Sequence, residues 1–217
     1  MWFSDKADSL DKQQDLWYYF FKGSEEMIFY TADLHFGHQN VLKYDNRPFA
    51  DVNEMDRALI EMWNGRVSDD DEVYIVGDFA FKNEKPEEWY LQQLKGKKHL
   101  IIGNHDAKTL NNPAAMAYFE SVDKMKHISD GNHQICLCHF PIAEWNGYFK
   151  GHFHIYAHIH NRKDETYQFM RHYSRALNAG CMINGYMPVP FDELVKNNLL
   201  HYNKTELDKP PKRPKQE

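Results

Sequence analysis

The chain has 217 residues, enough for one domain with a sizeable core, and its 42% hydrophobic and 15% aromatic content is that of a globular protein rather than a disordered one. A formal net charge of -6 gives no global attraction for a polyanion, which counts against a surface devoted to nucleic acid. The three cysteines, an odd number in a chain of this size, argue against a disulfide framework.

No stretch approaches the ~18 apolar residues of a membrane helix. The amino end is charged at Asp5, Lys6 and Asp8, and its longest apolar run, residues 16–21 (LWYYFF), is too short for the hydrophobic region of a secretory signal. The expected location is cytoplasmic, with no membrane partner. Nothing in the sequence signals an oligomeric state.

Residues 1–26 read as an amino-terminal extension. Within it, residues 17–21 are expected either to add an edge strand beside 28–31, through a turn at 22–26, or to form an aromatic-faced helix. Residues 27–38 (MIFYTADLHFGH) follow, an apolar run that breaks into Asp33, one spacer and His35. Two positions apart on extended chain, these side chains point the same way and can reach one cation. A helix is predicted over 51–67, with Met55, Leu59, Met62 and Trp63 at helical spacing, Asp51 and Asn53 as caps and Gly65 as a stop. A strand over 73–76 ends at Gly77, which lets the backbone turn and Asp78 project. A helix from Pro86 to Leu94, a strand over 98–102 and a helix over 112–119 come next. Then come a strand over 133–138, a loop rich in glycine and aromatics, a strand over 153–157, a segment over 174–179 and a turn at Gly180. A helix over 191–196 and a last strand over 199–203 complete a domain spanning 27–206. Alternating strands and helices make the class α/β. Residues 207–217 contain KPPKRPKQE, a basic, proline-rich tail expected to be disordered, either merely solvated or an arm for an anionic partner.

One event recurs along this order: an apolar run of strand length ends in a metal-capable side chain. It happens at Asp33 and His35, at Asp78, at Asn104 and His105, at His139, and at His158 and His160. Because sites in open α/β sheets lie beyond the carboxyl ends of the strands, these ends converge on one crevice. A lone histidine at a strand end is more often structural; the joint pattern reverses that reading. Asp33, His35, Asp78, Asn104, His139, His158 and His160 are too many ligands for one tetrahedral zinc and too poor in sulfur for a closed structural site. They suit two divalent ions, with the two oxygens of Asp78 able to bridge. Ions roughly 3.5 to 4 Å apart convert a bridging water to hydroxide and screen phosphate oxygens, so hydrolysis of a phosphate ester is the expected reaction.

In this order, D-x-H, G-D, G-N-H-D, a lone His and H-x-H resemble the calcineurin-like metallophosphoesterase superfamily, and the later Asn178-Ala179-Gly180 and Pro188-Val189-Pro190 look like its closing segment. The resemblance implies two facing mixed β-sheets flanked by helices, a four-layer α/β/β/α sandwich. It implies that Asp33, His35 and His160 hold a first ion and Asn104, His139 and His158 a second, with Asp78 shared. His105 would stand by the leaving-group oxygen as general acid or transition-state stabiliser, with Asp106 as its orienting partner. Manganese, iron, zinc or nickel serve in such pairs. Two departures stand out: Ala157 replaces the usual glycine before H-x-H, and the FAFKN after Asp78 lacks the downstream aspartate of phosphoprotein phosphatases.

His38, Asn40 and the segment 46–49 (NRPF) resemble small bacterial and phage-type members and mark His38, Asn40 and Arg47 as substrate contacts. Arg47 has a rival role as an ion-pair partner of Asp45 or Asp51. Trp145, Tyr148 and Phe149 either stack on a nucleobase or pack under their own loop. The functions weighed are a phosphohydrolase acting on a phosphate mono- or diester of a small molecule or nucleotide, a nuclease on polynucleotide, and a non-catalytic protein-binding scaffold. Net acidity counts against the nuclease and the basic tail for it.

Overall fold

Strand residues point to alternate faces, so a strand apolar at every position must be covered on both sides. The computed structural model, which describes residues 26–212, shows this in two sheets. The expected edge strand at 17–21 lies outside the described residues. Strands β1 (Ile28–Thr31), β2 (Glu72–Ile75), β3 (Lys97–Ile101) and β4 (Phe119–Asp123) run parallel, and β9 (Val189–Pro190) closes the sheet antiparallel to β1, in the order β4-β3-β2-β1-β9. The second sheet has the order β5-β6-β7-β8, from β5 (Met125–Asp130), β6 (His133–Cys138), β7 (Phe153–Tyr156) and β8 (Ala176–Asn178). Only its β5–β6 pair is antiparallel.

The alternation assigns each apolar residue to one of three layers. Phe29, Val73, Ile75 and Leu100 face outward under α1 (Val41–Tyr44), α2 (Val52–Asn64) and α3 (Glu87–Leu91), where they meet Val41, Met55, Leu59, Trp63, Tyr90 and Leu91. Their neighbours Tyr30, Tyr74, Val76 and Ile101 face inward onto Ile135, Leu137, Ile155 and Leu177 of the second sheet. Cys136, Tyr156 and Ala176 face out on the far side, against Tyr167 and Met170 of α6 (Glu165–Met170) and against Trp145 and Tyr202. The expected α/β/β/α sandwich is therefore present. Trp145 and Tyr148 pack beneath their own loop in this outer layer.

One short helix, α5 (Pro113–Met116), preceded by the unexpected α4 (Ala107–Leu110), stands where a longer helix over 112–119 is expected. The Asn112 side chain caps α5 by accepting from Ala114 N and Ala115 N, and Phe119 instead opens β4. The half-polar β4 and β5 were not legible as strands, because each is a sheet edge with one face toward solvent. The strand expected over 199–203 is helix as far as His201, where α7 (Phe191–His201) ends, and turn beyond it. Leu194, Asn198 and Tyr202 keep a four-residue spacing, and Asn198 fixes the helix to β8 by accepting from Asn178 N and donating to Asn178 O. Beyond residue 206 the chain stays on the domain, with Leu207 against the inter-sheet core and Asp208 N donating to Ser174 Oγ at 2.7 Å. The end of the basic tail, residues 213–217, lies outside the described range.

All three cysteines are buried, and burial pushes the thiols of Cys136 and Cys181 up to about 11 and about 12. Among the described residues no helix is long and apolar enough to cross a membrane.

His154 is a fully buried neutral imidazole. Its Nδ1–H donates to Cys136 O at 3.0 Å and its Nε2 accepts from Ile142 N at 3.2 Å, while burial holds its pKa down at about 4. The unfolded chain protonates this group near pH 6.5, so its contribution is complete above that pH and is lost as the pH falls toward 4, by about 3 kcal/mol in all. Urea unfolding of wild type and His154→Gln at pH 7.5 and pH 5 checks this: the variant should show a clearly smaller acid-induced loss.

Candidate metal centre

Three of the strands that end at the site, β1, β2 and β7, end in a backbone twist. Asp33, His35, Asp78, His158 and His160 all have φ between 52° and 71°, a left-handed conformation that L side chains adopt at a cost of ~1–3 kcal/mol each. They are five of nine non-glycine residues in that conformation among the described residues, so the strain is concentrated where the ligands are aimed. Glycines supply the clearance. A Cβ on Gly77, itself at φ 89°, would lie 2.3 Å from His139 Nδ1, and one on Gly103 would lie 2.3 Å from Asp78 Oδ1. The G-D and G-N-H-D motifs are thus a packing requirement as well as a ligand pattern.

The result is a convergence of acceptors. One ligand atom from each of Asp33, His35, Asp78 and His160 lies within 4.8 Å of all the others. His35 Nε2 is 3.3 Å from His160 Nε2 and 3.6 Å from Asp78 Oδ2. Asp33 Oδ2 is buried without a hydrogen-bond partner among the described residues. On the other side of Asp78, whose Oδ2 is 3.6 Å from His139 Nε2, that nitrogen lies 3.0 Å from Asn104 Oδ1, and His158 Nδ1 lies 2.8 Å from the same oxygen. All seven expected ligand side chains therefore meet, with Asp78 between the two groups.

Proton bookkeeping shows what the cluster lacks. His139 Nδ1 must donate to the Val76 carbonyl, 2.9 Å away, so its neutral ring turns the Nε2 lone pair toward Asn104 Oδ1, another acceptor. His160 Nδ1 likewise donates to the Asp45 carboxylate at 2.8 Å and turns Nε2 inward. Burial pushes the Asp33 carboxyl up to about 7, against the pull of His160, and pushes Asp78 up as well. It pushes His35, His139 and His158 down. His160 alone is raised: burial lowers it, but its hydrogen bond to Asp45 and the charges of Asp33 and Asp45 outweigh that. Acceptors facing acceptors in a low-dielectric pocket call for positive charge among them, and oxygen and imidazole donors of this kind fit divalent first-row cations.

Other predicted residues have different positions. Asp106 does not orient His105; its buried carboxylate accepts three backbone N–H groups, from Gly103 (2.7 Å), Asp78 (2.9 Å) and Phe79 (2.9 Å), and so clamps two ligand loops together. Arg47 is no substrate contact. Its side chain is buried, bonds Asp45 Oδ2 through Nε and Nη2, and donates to the carbonyls of Leu34 and Asp33 at 2.8 Å. Of its two roles, the pair with Asp45 is the one present. His38 is likewise buried, its ring wedged among His35, Tyr44 and Phe81. Asn40 caps α1 through its carbonyl and takes no part in the cluster's hydrogen bonds. His105 is tied in by its peptide, whose N–H donates to Asp78 Oδ1 at 2.8 Å, and its ring lies on Phe81 with centroids 4.0 Å apart. Sequence reasoning missed Asp45 as a partner of His160; its one signal was the nearby Arg47.

The sandwich, and the ordered D-x-H, G-D, G-N-H-D, H and H-x-H ends gathered at one rim, are the arrangement that the sequence resemblance to the calcineurin-like metallophosphoesterases implies. No protein-family model matches the sequence. The chain is 31% identical over 175 residues to the uncharacterized protein MJ1445 of Methanocaldococcus jannaschii, across 80% of this chain and 92% of that one, and it belongs to the same family. The gene 66 protein of Mycobacterium phage L5 is 30% identical over 159 residues, 61% of this chain and 76% of the phage protein. The crystal structure of AQ665, a protein of unknown function from Aquifex aeolicus, shares the fold with a TM-score of 0.61 at 24% identity, covering 79% of this chain and 99% of that one.

Gly77→Ala should push His139 out of line and destabilise the fold by more than ~1 kcal/mol, since both the positive φ and the 2.3 Å approach oppose a methyl group. Thermal unfolding with and without added manganese checks this. The variant should melt lower and gain less from the ion than wild type.

Proposed function

We propose that the protein is a metal-dependent phosphoesterase that hydrolyses a phosphate mono- or diester. The observation that supports it most is the convergence of acceptor atoms on both sides of Asp78. In this reading Asp33, His35 and His160 hold one divalent ion, Asn104, His139 and His158 a second, and Asp78 lies between. Bound there, such a pair would supply an activated hydroxide and screen the phosphate oxygens.

The chain's own residues do the rest. Asp78 is held by the His105 N–H on Oδ1 and leaves Oδ2 facing both His35 and His139, so this one oxygen, rather than the two expected, would serve both groups. The His105 ring makes no hydrogen bond to protein among the described residues and rests on Phe81, beside the ring of His35. It is free to give a proton to the leaving-group oxygen. At the rim, Phe140 is 46% exposed with its ring 4.8 Å from that of His158, and Tyr44 is 72% exposed beside His38. Two open rings by the cluster support a leaving group that carries a planar ring, a nucleotide rather than a simple alkyl phosphate. A non-catalytic scaffold would not need a filled and strained ligand set.

Turnover of chromogenic mono- and diesters with and without manganese tests the proposal. Chelator and Asp78→Asn should each abolish it. His105→Ala should keep metal content near normal, by elemental analysis, and lower kcat by 10²- to 10⁴-fold. Loss of metal in that variant would remove His105 from the role of proton donor. A metal-loaded wild-type protein inert to the whole panel, nucleotide diesters included, would overturn the phosphoesterase reading.

A further inference from the structure

The imidazoles around the cluster are oriented by unequal partners. His139 Nδ1 meets a neutral backbone carbonyl, while His35 Nδ1 is buried with no hydrogen-bond partner among the described residues. His160 Nδ1 alone meets a carboxylate, both oxygens of Asp45 lying 2.8 and 2.9 Å away. Asp45 is itself fixed: Arg47 donates to its Oδ2 from Nε at 3.1 Å and from Nη2 at 2.9 Å. The same guanidinium binds the carbonyls of Asp33 and Leu34 at the end of β1. Arg47 thus joins the backbone that aims Asp33 and His35 to the carboxylate that aims His160, although the two ligand groups are 125 residues apart in sequence. Asn161 Nδ2 also donates to Asp45 O at 3.2 Å, and Asn178 Nδ2 to His160 O at 2.9 Å, so both sides of the contact are pinned.

From this geometry we infer that Asp45, held by Arg47, is a positioning residue that fixes His160 in the Nδ1–H tautomer with its Nε2 lone pair turned into the cluster. It thereby makes the Asp33, His35 and His160 group a preformed half-site for a divalent cation. The inference rests on the metal-dependent reading above and adds a residue outside every motif. A carboxylate behind a ligating histidine orients the ring and raises its basicity, and loss of such a partner typically weakens metal affinity 10- to 100-fold.

Asp45→Asn is the informative change because it keeps the shape. Arg47 offers only donors and so takes the amide oxygen, which turns the amide NH₂ toward His160 Nδ1. The ring must then accept at Nδ1 and carry its proton on Nε2, where the lone pair is needed. In wild-type apoprotein, nitrogen-15 NMR of the His160 ring should show the Nδ1–H form; in Asp45→Asn it should show the Nε2–H form. Manganese titration should find binding 10- to 100-fold weaker in the variant. Wild-type His160 in the Nε2–H form would overturn the inference, whether or not the variant folds. So would a folded Asp45→Asn that binds manganese within threefold of wild type. A wild-type protein that binds no manganese, zinc, iron or nickel while His160 holds the Nδ1–H form would instead sink the metal reading and leave the tautomer assignment standing.

Discussion

The structure depends on holding together groups that repel one another. Two carboxylates, four imidazoles and an amide oxygen crowd into a shared space, with Asp33, His35, Asp78 and His139 buried and Asn104, His158 and His160 on its more open side. No hydrophobic gain recommends this arrangement, and several left-handed backbone residues add strain to it. It persists because the surrounding shell overdetermines each side chain: three N–H groups fix Asp106, Arg47 fixes Asp45 and two carbonyls, and glycines stand where any Cβ would collide. A cation held among these groups, as proposed above, would turn that mutual repulsion into attraction.

The two-sheet architecture explains how distant sequence segments reach one rim. Asp33, Asp78 and Asn104 follow β1, β2 and β3 of the first sheet, and His139 and His158 follow β6 and β7 of the second. Face-to-face packing of the inward apolar rows brings these carboxyl ends together. At that end the sheets are also stitched by backbone: Ala32 bridges Gly180, and Cys181 N donates to Ala32 O at 3.0 Å. The second sheet therefore cannot slide along the first without pulling the ligands out of line.

Most of this was legible where chemistry and pattern coincide. The apolar run at 73–76 and the mostly apolar one at 153–157, broken only by His154, announced strands covered on both faces, and their metal-capable ends announced the crevice. Legibility failed where one signal served two masters. Residues 199–203 are apolar enough for a strand, yet Asn198 commits them to a helix through bonds to β8 that no local pattern discloses. The edge strands β4 and β5 looked like loop because half of each faces water. Arg47 resembled a phosphate fork because its donors are the same whether they meet phosphate or the carbonyls of β1. Asp45 was invisible for a related reason, since an ion pair two residues apart says nothing about an imidazole 115 residues away.

The burial of all three thiols carries a practical corollary. Thiolate is the form that alkylating reagents attack, and here it is disfavoured by enclosure as well as by acidity. The folded chain thus offers a silent background for maleimide chemistry. A single cysteine introduced on the open rim beside Tyr44 or Phe140 would carry a fluorophore or spin label at that one spot, and no native sulfur would need to be removed first.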